Sequence, residues 1–500
     1  MALQKVLGIE TEYGIVVRGA GESNPVSASS LLINAYVQEL ERRRLAGPKV
    51  GWDFEDEHPG NDARGSSGPS SPPDVETHLV NAVLTNGARY YVDHAHPEIS
   101  TPECADARAV VVFDRAAEEI IRQSIISANR LLPEGQELVV HKNNSDGKGN
   151  SYGCHENYLM ARSTPFSRIV THVTAHFITR QLFTGSGKVG TEAPGLSAKE
   201  VPYQLTQRAD FFEAEVGLET TLKRPIVNTR DEPHADAQKY RRLHVITGDA
   251  NCSETATFLK VGTTAFVLAL VEDAALPRTF SFRSPVAAMR QVSYDLTLQQ
   301  PLELTDGTTI TALEVQWELL DRSKKWAESH GLEAVGGDVG GDVLDEWEAV
   351  LTGLERDPMD LADRLDWVAK KRLLEGYQER HGIGWDDSRL AALALQYHDM
   401  RPERSLADRV GLRRLTSDDE VRRAMTDPPE DTRAYFRGTC LKRWASQVVA
   451  ANWDSIVFDI GQSTLRRVPM MEPLRGTRAG VGTVLDESAD PAELLARLNG

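Results

Sequence analysis

Two carboxylates at strand spacing near the start of the chain are the first residues with evident chemistry. Glu10 and Glu12 alternate with the uncharged residues Ile9, Thr11 and Tyr13 in a predicted strand over residues 5–17, so both acids lie on one face. Neighbouring carboxylates repel each other unless a cation or protons intervene. A hard divalent ion such as Mg²⁺ is the simplest reason to place them together. The alternative is an acidic edge strand that discourages aggregation.

A second predicted strand adds a cation, a phenol and another carboxylate. Residues 79–85 are predicted to form a strand, and Asn86-Gly87 predicts a two-residue type I′ hairpin, because both central residues of that turn need positive φ. The return strand then places Arg89, Tyr91 and Asp93 on one face. Such a row suits neither a core nor an apolar interface. It marks a candidate site, with a solvated sheet face of paired charges as the alternative.

A glycine-rich polar segment over residues 141–158 is a third candidate. Glycines let backbone amides approach a ligand closely, and the Asn, Ser and His side chains add donors, so the segment suits phosphate binding. Gly185-Ser186-Gly187-Lys188 is not a Walker A loop. Leu182 stands where the first glycine of that motif belongs, and Val189 replaces its Ser or Thr.

Composition excludes several classes of function. The chain has 500 residues and a net charge of −18, which argues against general nucleic-acid binding because phosphate neutralisation needs a basic surface. The four cysteines form no C-x-x-C pair, which argues against a zinc knuckle or a disulfide framework and fits a reducing cytoplasm. We find no apolar run of membrane-spanning length and no signal peptide, and therefore expect a cytoplasmic protein without a membrane partner.

The chain is expected to divide into two domains. Asp427-Pro428-Pro429-Glu430 is the predicted boundary between a catalytic domain, residues 1–428, and a small C-terminal domain, residues 429–500. A polar Gly/Ser/Pro-rich stretch at about 47–78 is predicted to be a flexible insert. Residues 336–342 are predicted to be a flexible joint. The remaining predicted elements include helices at 28–46, 108–132, 167–183, 309–328, 358–374, 388–397, 435–451 and 491–498, and paired strands at 454–460 and 464–471.

In combination, these motifs resemble the glutamine synthetase-like carboxylate–amine ligase superfamily. Within it they resemble the family that comprises the Pup ligase and the Pup deamidase/depupylase. The resemblance is carried by Gly8-Ile9-Glu10-Thr11-Glu12-Tyr13-Gly14, by Asp93 with His96-Pro97-Glu98, and by Ala451-Asn452-Trp453-Asp454. The long insert and the short spacing from Asp93 to His96-Pro97-Glu98 favour the deamidase/depupylase branch over the ligase branch.

The resemblance implies a fold and a set of site residues. The fold would be α+β, a curved antiparallel sheet forming a cradle backed by helices, with a small C-terminal α/β domain. ATP and Mg²⁺ would be the cofactors, and Asp93 would carry the chemistry. The implied Mg²⁺ ligands are Glu10, Tyr91 and Glu98; the implied nucleotide-site residues are Arg89, Thr101, Trp453, Glu12 and His155.

The implied reaction is hydrolysis of a side-chain amide. It converts the C-terminal Gln of Pup to Glu, or cleaves the isopeptide bond between Pup and a substrate lysine, which links the protein to the proteasome. Asp93 would act as nucleophile or as general base on water, and the sequence leaves both open. The acidic chain of Pup would lie in a basic groove, for which the candidates are Arg208, Arg224, Arg230 and His244.

Three alternatives remain on the residues alone. One is a Pup ligase that forms the isopeptide bond with ATP, and another is a small-molecule ligase that joins glutamate to an amine. The third is a binding module that captures Pup-tagged proteins without catalysis, for which Asp93 would be dispensable.

Overall fold

The computed structural model describes residues 1–21, 24–43, 50–55, 57–65 and 79–498. Its strands are β1 (Leu7–Glu12), β2 (Gly14–Arg18), β3 (Gly51–Trp52), β4 (Asn81–Val83), β5 (Arg89–Asp93), β6 (His96–Ser100), β7 (Glu137–His141), β8 (Cys154–Ala161), β9 (Lys188–Val189), β10 (Tyr203–Gln204), β11 (Phe212–Gly217), β12 (Arg224–Asn228), β13 (Tyr240–Gly248), β14 (Leu302–Glu303), β15 (Thr309–Ile310), β16 (Val448–Ala451), β17 (Ser455–Phe458) and β18 (Arg466–Pro469). Its helices are α1 (Pro25–Arg42), α2 (Ala107–Asn129), α3 (Phe166–Thr179), α4 (Gln181–Thr184), α5 (Glu254–Glu272), α6 (Pro285–Tyr294), α7 (Ala312–His330), α8 (Asp338–Arg356), α9 (Asp366–His381), α10 (Ser388–Tyr397), α11 (Asp418–Ala424), α12 (Ala434–Arg443), α13 (Arg478–Glu487) and α14 (Pro491–Leu498).

A six-stranded antiparallel sheet in the order β13-β8-β1-β6-β5-β4 forms the centre of the fold. Side chains alternate along β5, so Tyr90 and Val92 are buried, whereas Arg89, Tyr91 and Asp93 are only partly buried. Tyr90 packs edge-on against Tyr36 of α1 and hydrogen-bonds Ser124 of α2. One face of the sheet is therefore covered by helices and the other is left for the polar row. The predicted α+β class with an antiparallel sheet is confirmed.

The helix that is most apolar, α5, is a core element. It is long and apolar enough to cross a membrane, but the whole of that apolar window is buried in the protein. Ser253 caps its N-terminus by accepting a hydrogen bond from the backbone N–H of Ala256. It packs on α2, α3 and β8 behind the central sheet.

The hairpin before β5 differs from the predicted type I′ turn. Only Gly87 has positive φ, at 85°, whereas Asn86 does not. The backbone N–H of Gly87 bonds to the carbonyl of Leu84, and the N–H of Leu84 bonds to the carbonyl of Ala88. This is a three-residue loop with a type I turn and a left-handed glycine. Asn86 is used instead as a tether, because its side-chain amide donates to the carbonyl of Ala424 at 2.8 Å.

Three other element predictions need correction. The first predicted strand is divided at Tyr13, whose backbone N–H bonds to Pro97 instead of continuing the ladder. Residues 338–342, predicted to be a joint, begin the 19-residue helix α8, where Gly340 fits closely beside Val335. The predicted helix at 435–451 ends at Arg443, and its last residues form β16.

The C-terminal residues have their own apolar cluster. It includes Phe436, Trp444, Ile456 and Leu485, together with Val50 from the N-terminal part of the sequence. The strands β18-β17-β16-β3 form the sheet beside it, and β17 pairs with β18 as predicted. The boundary near residues 427–430 remains a prediction.

The predicted flexible insert falls partly outside the described residues, because 44–49, 56 and 66–78 are not among them. The residues that are described, 50–55 and 57–65, pack against the rest of the fold. β3 pairs in parallel with β16, and Ala63 bonds to the backbone of Thr229. This part of the insert is therefore a structural element beside the candidate site.

Candidate active site

Three strands bring acidic side chains from distant parts of the sequence to one place. β6 lies between β1 and β5, and its register sets Glu98 directly opposite Glu12 on one side and Tyr91 on the other. Carboxylate oxygens of Glu12, Asp93 and Glu98 lie within 4.8 Å of one another. Oxygen ligands at this spacing match the preference of a hard divalent cation.

Glu98 is the most buried acid of this group, with 2% of its surface exposed. Burial and the negative charges of Asp93, Glu12 and Glu10 raise the pKa of its carboxyl well above the usual value. Burial also raises the pKa of the neighbouring Tyr91 phenol, with the charges of Glu98 and Glu10 adding to the effect. The site therefore favours any positive charge placed among these oxygens.

A second group is formed by Glu10, His155 and His244, whose ligand atoms also lie within 4.8 Å of one another. Glu10 accepts a hydrogen bond of 2.7 Å from Asn157, and its other oxygen is 3.7 Å from His155 Nδ1. Burial raises the pKa of Glu10, but the neighbouring side chains of His155, His244 and Arg242 outweigh it and hold the pKa well below its usual value.

In this second group, His244 offers a ring nitrogen that could ligate a metal ion. Its Nδ1 is 3.0 Å from Asn157 Oδ1, while its Nε2 is buried and has no hydrogen-bond partner among the described residues. Burial lowers the pKa of His244 well below its usual value, so the imidazole is neutral at pH 7. A neutral imidazole with a free nitrogen suits a metal ion.

Among the acidic side chains of this site, Asp93 is the most exposed and therefore the most accessible to a large substrate. It ends β5 at a tight turn, and 38% of its side chain is exposed. Its Oδ2 is 3.1 Å from His94 Nδ1, and His94 has φ of 52°, an unusual value for a residue other than glycine. Burial raises the pKa of Asp93, but the bond to His94 outweighs it, so the pKa is lowered and the carboxylate is ionised at neutral pH.

A cleft of about 80 Å³ lies beside the acidic side chains of β1 and β6. Thr101 and Trp453 line it, together with Glu10 at its inner end. Thr101 Oγ1 accepts a hydrogen bond of 3.1 Å from the backbone N–H of Ile9, which fixes its position. Arg89, Glu12 and His155, also predicted to belong to the nucleotide site, lie outside the lining of this cleft.

The sequence reasoning missed several residues of the cleft. Arg433 directly precedes α12, and Pro233 and His234 come from the loop before β13. Arg242 also lines the cleft, where it donates to the carbonyl of Glu232 and lies 3.9 Å from Glu10. The pairing of Arg433 with Arg437, four residues apart on a helix, was the available signal.

Glu103 forms ion pairs that connect the C-terminal part of the chain to the region beside the cleft. It accepts a hydrogen bond of 2.7 Å from Arg433 and pairs with Arg437. Arg437 in turn donates to the backbone carbonyl of Trp453 at 3.0 Å and lies over its ring. Burial raises the pKa of Glu103, but the two guanidinium groups outweigh it and lower the pKa to about 2.

We expect Glu103→Gln to destabilise the protein by about 3 kcal/mol at pH 7, the free energy that corresponds to this pKa shift. The lowered pKa means that the contribution is fully present above the usual value of 4.5 and is lost as the pH falls towards about 2. Urea unfolding of both proteins between pH 3 and 7 checks this. A difference in unfolding free energy that stays constant over that range would contradict it.

The four residues predicted to bind the acidic partner occupy different environments. Arg208 is only 1% exposed, donates to the carbonyl of Ile246, and meets Arg224 at the backbone and side chain of Ser151. Arg230 forms an isolated antiparallel bridge with Asp62 of the insert, and its charge acts on His244 and Arg242. His244 belongs with Glu10, as described above. The basic groove remains a prediction, with Arg208 and Arg224 at its inner end.

Comparison with known proteins decides the family. The family model described as "Pup-ligase protein" matches residues 5–457. The chain belongs to this family. It is 51% identical to a depupylase of Acidothermus cellulolyticus, with all of both chains covered. It is 46% identical to a Pup deamidase/depupylase of Mycolicibacterium smegmatis, with 99% of this chain and 100% of the relative covered.

Members named as ligases are also similar, but less so. A Pup–protein ligase of Kineococcus radiotolerans is 40% identical over 81% of this chain and 90% of its own length. The solved complex between the prokaryotic ubiquitin-like protein Pup and its ligase PafA has a TM-score of 0.80 and 30% identity, covering 99% of this chain and 94% of that one. PafA in complex with ADP has a TM-score of 0.73 and 34% identity, covering 81% and 89%.

Proposed function

We propose that this protein is a nucleotide- and Mg²⁺-dependent amide hydrolase that acts on Pup. It converts the C-terminal glutamine of Pup to glutamate and releases Pup from substrate lysines. The observation that carries the proposal is the full-length likeness, at 46–51% identity, to proteins named depupylase and Pup deamidase/depupylase. The lower identity to a named ligase, 40%, favours hydrolysis over ligation.

Nucleotide binding is assigned to the cleft beside the cradle. A structural relative at 34% identity is a complex with ADP, and the cleft here lies directly against Glu10, Thr101 and Trp453. Thr101 and Trp453 would contact the nucleotide there, and Arg89 would reach its phosphates from β5. Because hydrolysis of an amide is downhill, the nucleotide would shape the site and would not need to supply free energy.

Magnesium is proposed from the chemistry of the donors. Glu98 sits with a raised pKa among other carboxylates, which is the environment that a bound cation would relieve. Glu10, Tyr91 and Glu98 would hold the ion. Ligand atoms of Glu98 lie within 4.8 Å of those of Glu12 and Asp93, whereas those of Glu10 lie within 4.8 Å of those of His155 and His244, which offer a further position. When bound, the ion would offset the negative charge that develops as the amide carbonyl is attacked.

Asp93 is proposed as the catalytic residue because it is the ionised and exposed acid of the cradle. In one route its carboxylate attacks the amide carbon, the carbon–nitrogen bond breaks as the nitrogen takes a proton from solvent, and water then hydrolyses the mixed anhydride. In the other route it takes a proton from water, which attacks the carbon directly. Both routes yield the same acid and the same amine, and both require Asp93 beside the scissile bond.

The acidic partner is proposed to enter along the basic residues. Arg208 and Arg224 converge on Ser151, so they would hold the terminal residue of Pup, and Arg230, which is bridged to Asp62, would contact the acidic chain beside the insert. The proteasome pathway and a cytoplasmic location follow from Pup as the substrate.

A Pup–fluorophore conjugate joined through an isopeptide bond tests the proposal. We expect ATP- and Mg²⁺-dependent release of the fluorophore, and no conjugation when Pup ending in glutamate is mixed with a target protein. Conjugation without release would instead identify a ligase. ADP release that depends on free amino acids and not on Pup would identify a small-molecule ligase.

A further inference from the structure

The guanidinium of Arg89 lies against two aromatic rings. Its Cζ lies 4.0 Å from the centroid of the Trp52 ring and 4.0 Å from that of the Tyr91 ring. Its Nε donates to Asn81 Oδ1 at 3.1 Å. Stacking of this kind fixes the plane of the guanidinium while leaving hydrogen-bond donors at its edge for a phosphate.

Glu57 contacts both the Trp52 indole and the Arg89 guanidinium. Its Oε1 accepts a hydrogen bond of 2.6 Å from Trp52 Nε1 and lies 3.6 Å from Arg89 Nη1. Trp52 itself is 7% exposed. Burial raises the pKa of Glu57, with the charge of Arg89 opposing the rise. The carboxylate therefore fixes the indole on the guanidinium in a largely buried setting.

The segment that carries Trp52 and Glu57 is anchored at both ends. On one side, β3 pairs in parallel with β16, and the Trp52 ring meets the Trp453 ring edge-on at 5.3 Å. On the other side, the backbone of His58 donates to Glu232, and the backbone of Asp231 donates to Asn61. Residues 50–55 and 57–65 thus cross from the C-terminal sheet to the loop before β13.

We propose that Trp52 and Glu57 are positioning residues for nucleotide binding, which orient Arg89 towards the phosphates. The inference rests on the proposed function only in taking Arg89 as a nucleotide contact. It gives the insert a role in the site, because Trp52 and Glu57 pack against the guanidinium of Arg89. A side chain held in advance loses less conformational freedom when the ligand binds.

The test is ADP affinity, measured by calorimetry on the full chain with Mg²⁺ and without Pup. We expect Trp52→Leu to weaken ADP binding about tenfold, the equivalent of one desolvated cation–π contact. Trp52→Phe, which keeps a ring over the guanidinium, should retain most of the affinity. Trp385→Leu, at a partly buried tryptophan that packs on Tyr203, is the matched control and should leave ADP affinity unchanged.

A double-mutant cycle with Arg89→Ala separates positioning from general destabilisation. If Trp52 acts through Arg89, then Trp52→Leu has little further effect on ADP affinity in the Arg89→Ala background. Equal losses in both backgrounds, or no loss from Trp52→Leu, would overturn the inference, as would wild-type ADP affinity in Arg89→Ala. Because no Pup is present, an inactive but ADP-binding protein would count against the proposed function and not against this inference.

Discussion

Asp93→Asn is expected to abolish amide hydrolysis, with a loss of about a thousandfold or more, while ADP binding stays close to wild type. The substitution keeps the shape of the side chain but removes the charge that attacks the amide carbon or activates water. The residue lies at the open end of β5, and the cleft assigned to the nucleotide does not include it. Release of fluorophore from a Pup conjugate and ADP calorimetry measure the two effects.

Asp306→Asn is the matched control for this result. Asp306 also lies in a tight turn between two strands, and its carboxylate accepts a hydrogen bond from Thr308, but it is exposed and belongs to the β14–β15 hairpin. It should leave both activity and ADP affinity unchanged. Near wild-type hydrolysis by Asp93→Asn would remove Asp93 from the chemistry and favour a protein that only captures Pup.

Glu98→Gln is expected to reduce activity by about a hundredfold or more and to raise the Mg²⁺ concentration needed for half-maximal activity. In the absence of Mg²⁺, by contrast, we expect Glu98→Gln to increase the stability of the folded protein. Burial among Asp93, Glu12 and Glu10 makes the ionised Glu98 costly, and that cost grows as the pH rises through its raised pKa. The variant should therefore melt at a higher temperature than wild type in EDTA at pH 8.

With Mg²⁺ and ADP added, the order should reverse, because ligand binding stabilises wild type more than the variant. Glu303→Gln, at an exposed glutamate of β14, controls for the loss of a carboxylate and should show neither effect. Equal stabilisation of Glu98→Gln and wild type by Mg²⁺–ADP would place the ion elsewhere.

The local pattern of the sequence predicted which side chains share a face on two strands of the candidate site. Alternation alone placed Arg89, Tyr91 and Asp93 on one face, and the burial along β5 agrees. It also placed Glu10 and Glu12 together, because side-chain direction in a strand depends only on residue spacing. The antiparallel sheet and the pairing of the last two strands were predicted correctly as well.

What the sequence could not give is long-range pairing. The opposition of Glu12 and Glu98, and the approach of His244 to Glu10, depend on strand order and register across more than eighty residues. The same holds for Trp52, which lies in a stretch whose composition indicates a loop but which docks on Arg89 through contacts to distant strands. Glycines misled the prediction at α8, where Gly340 serves close packing and not flexibility.

Mass spectrometry of Pup ending in glutamine tests the central claim most directly. The account predicts that the purified protein with ATP and Mg²⁺ converts the terminal amide of Pup to an acid. The corresponding mass increase should be confined to the last residue and absent with EDTA. An unchanged Pup mass after incubation with protein that is folded and binds ADP would contradict the account.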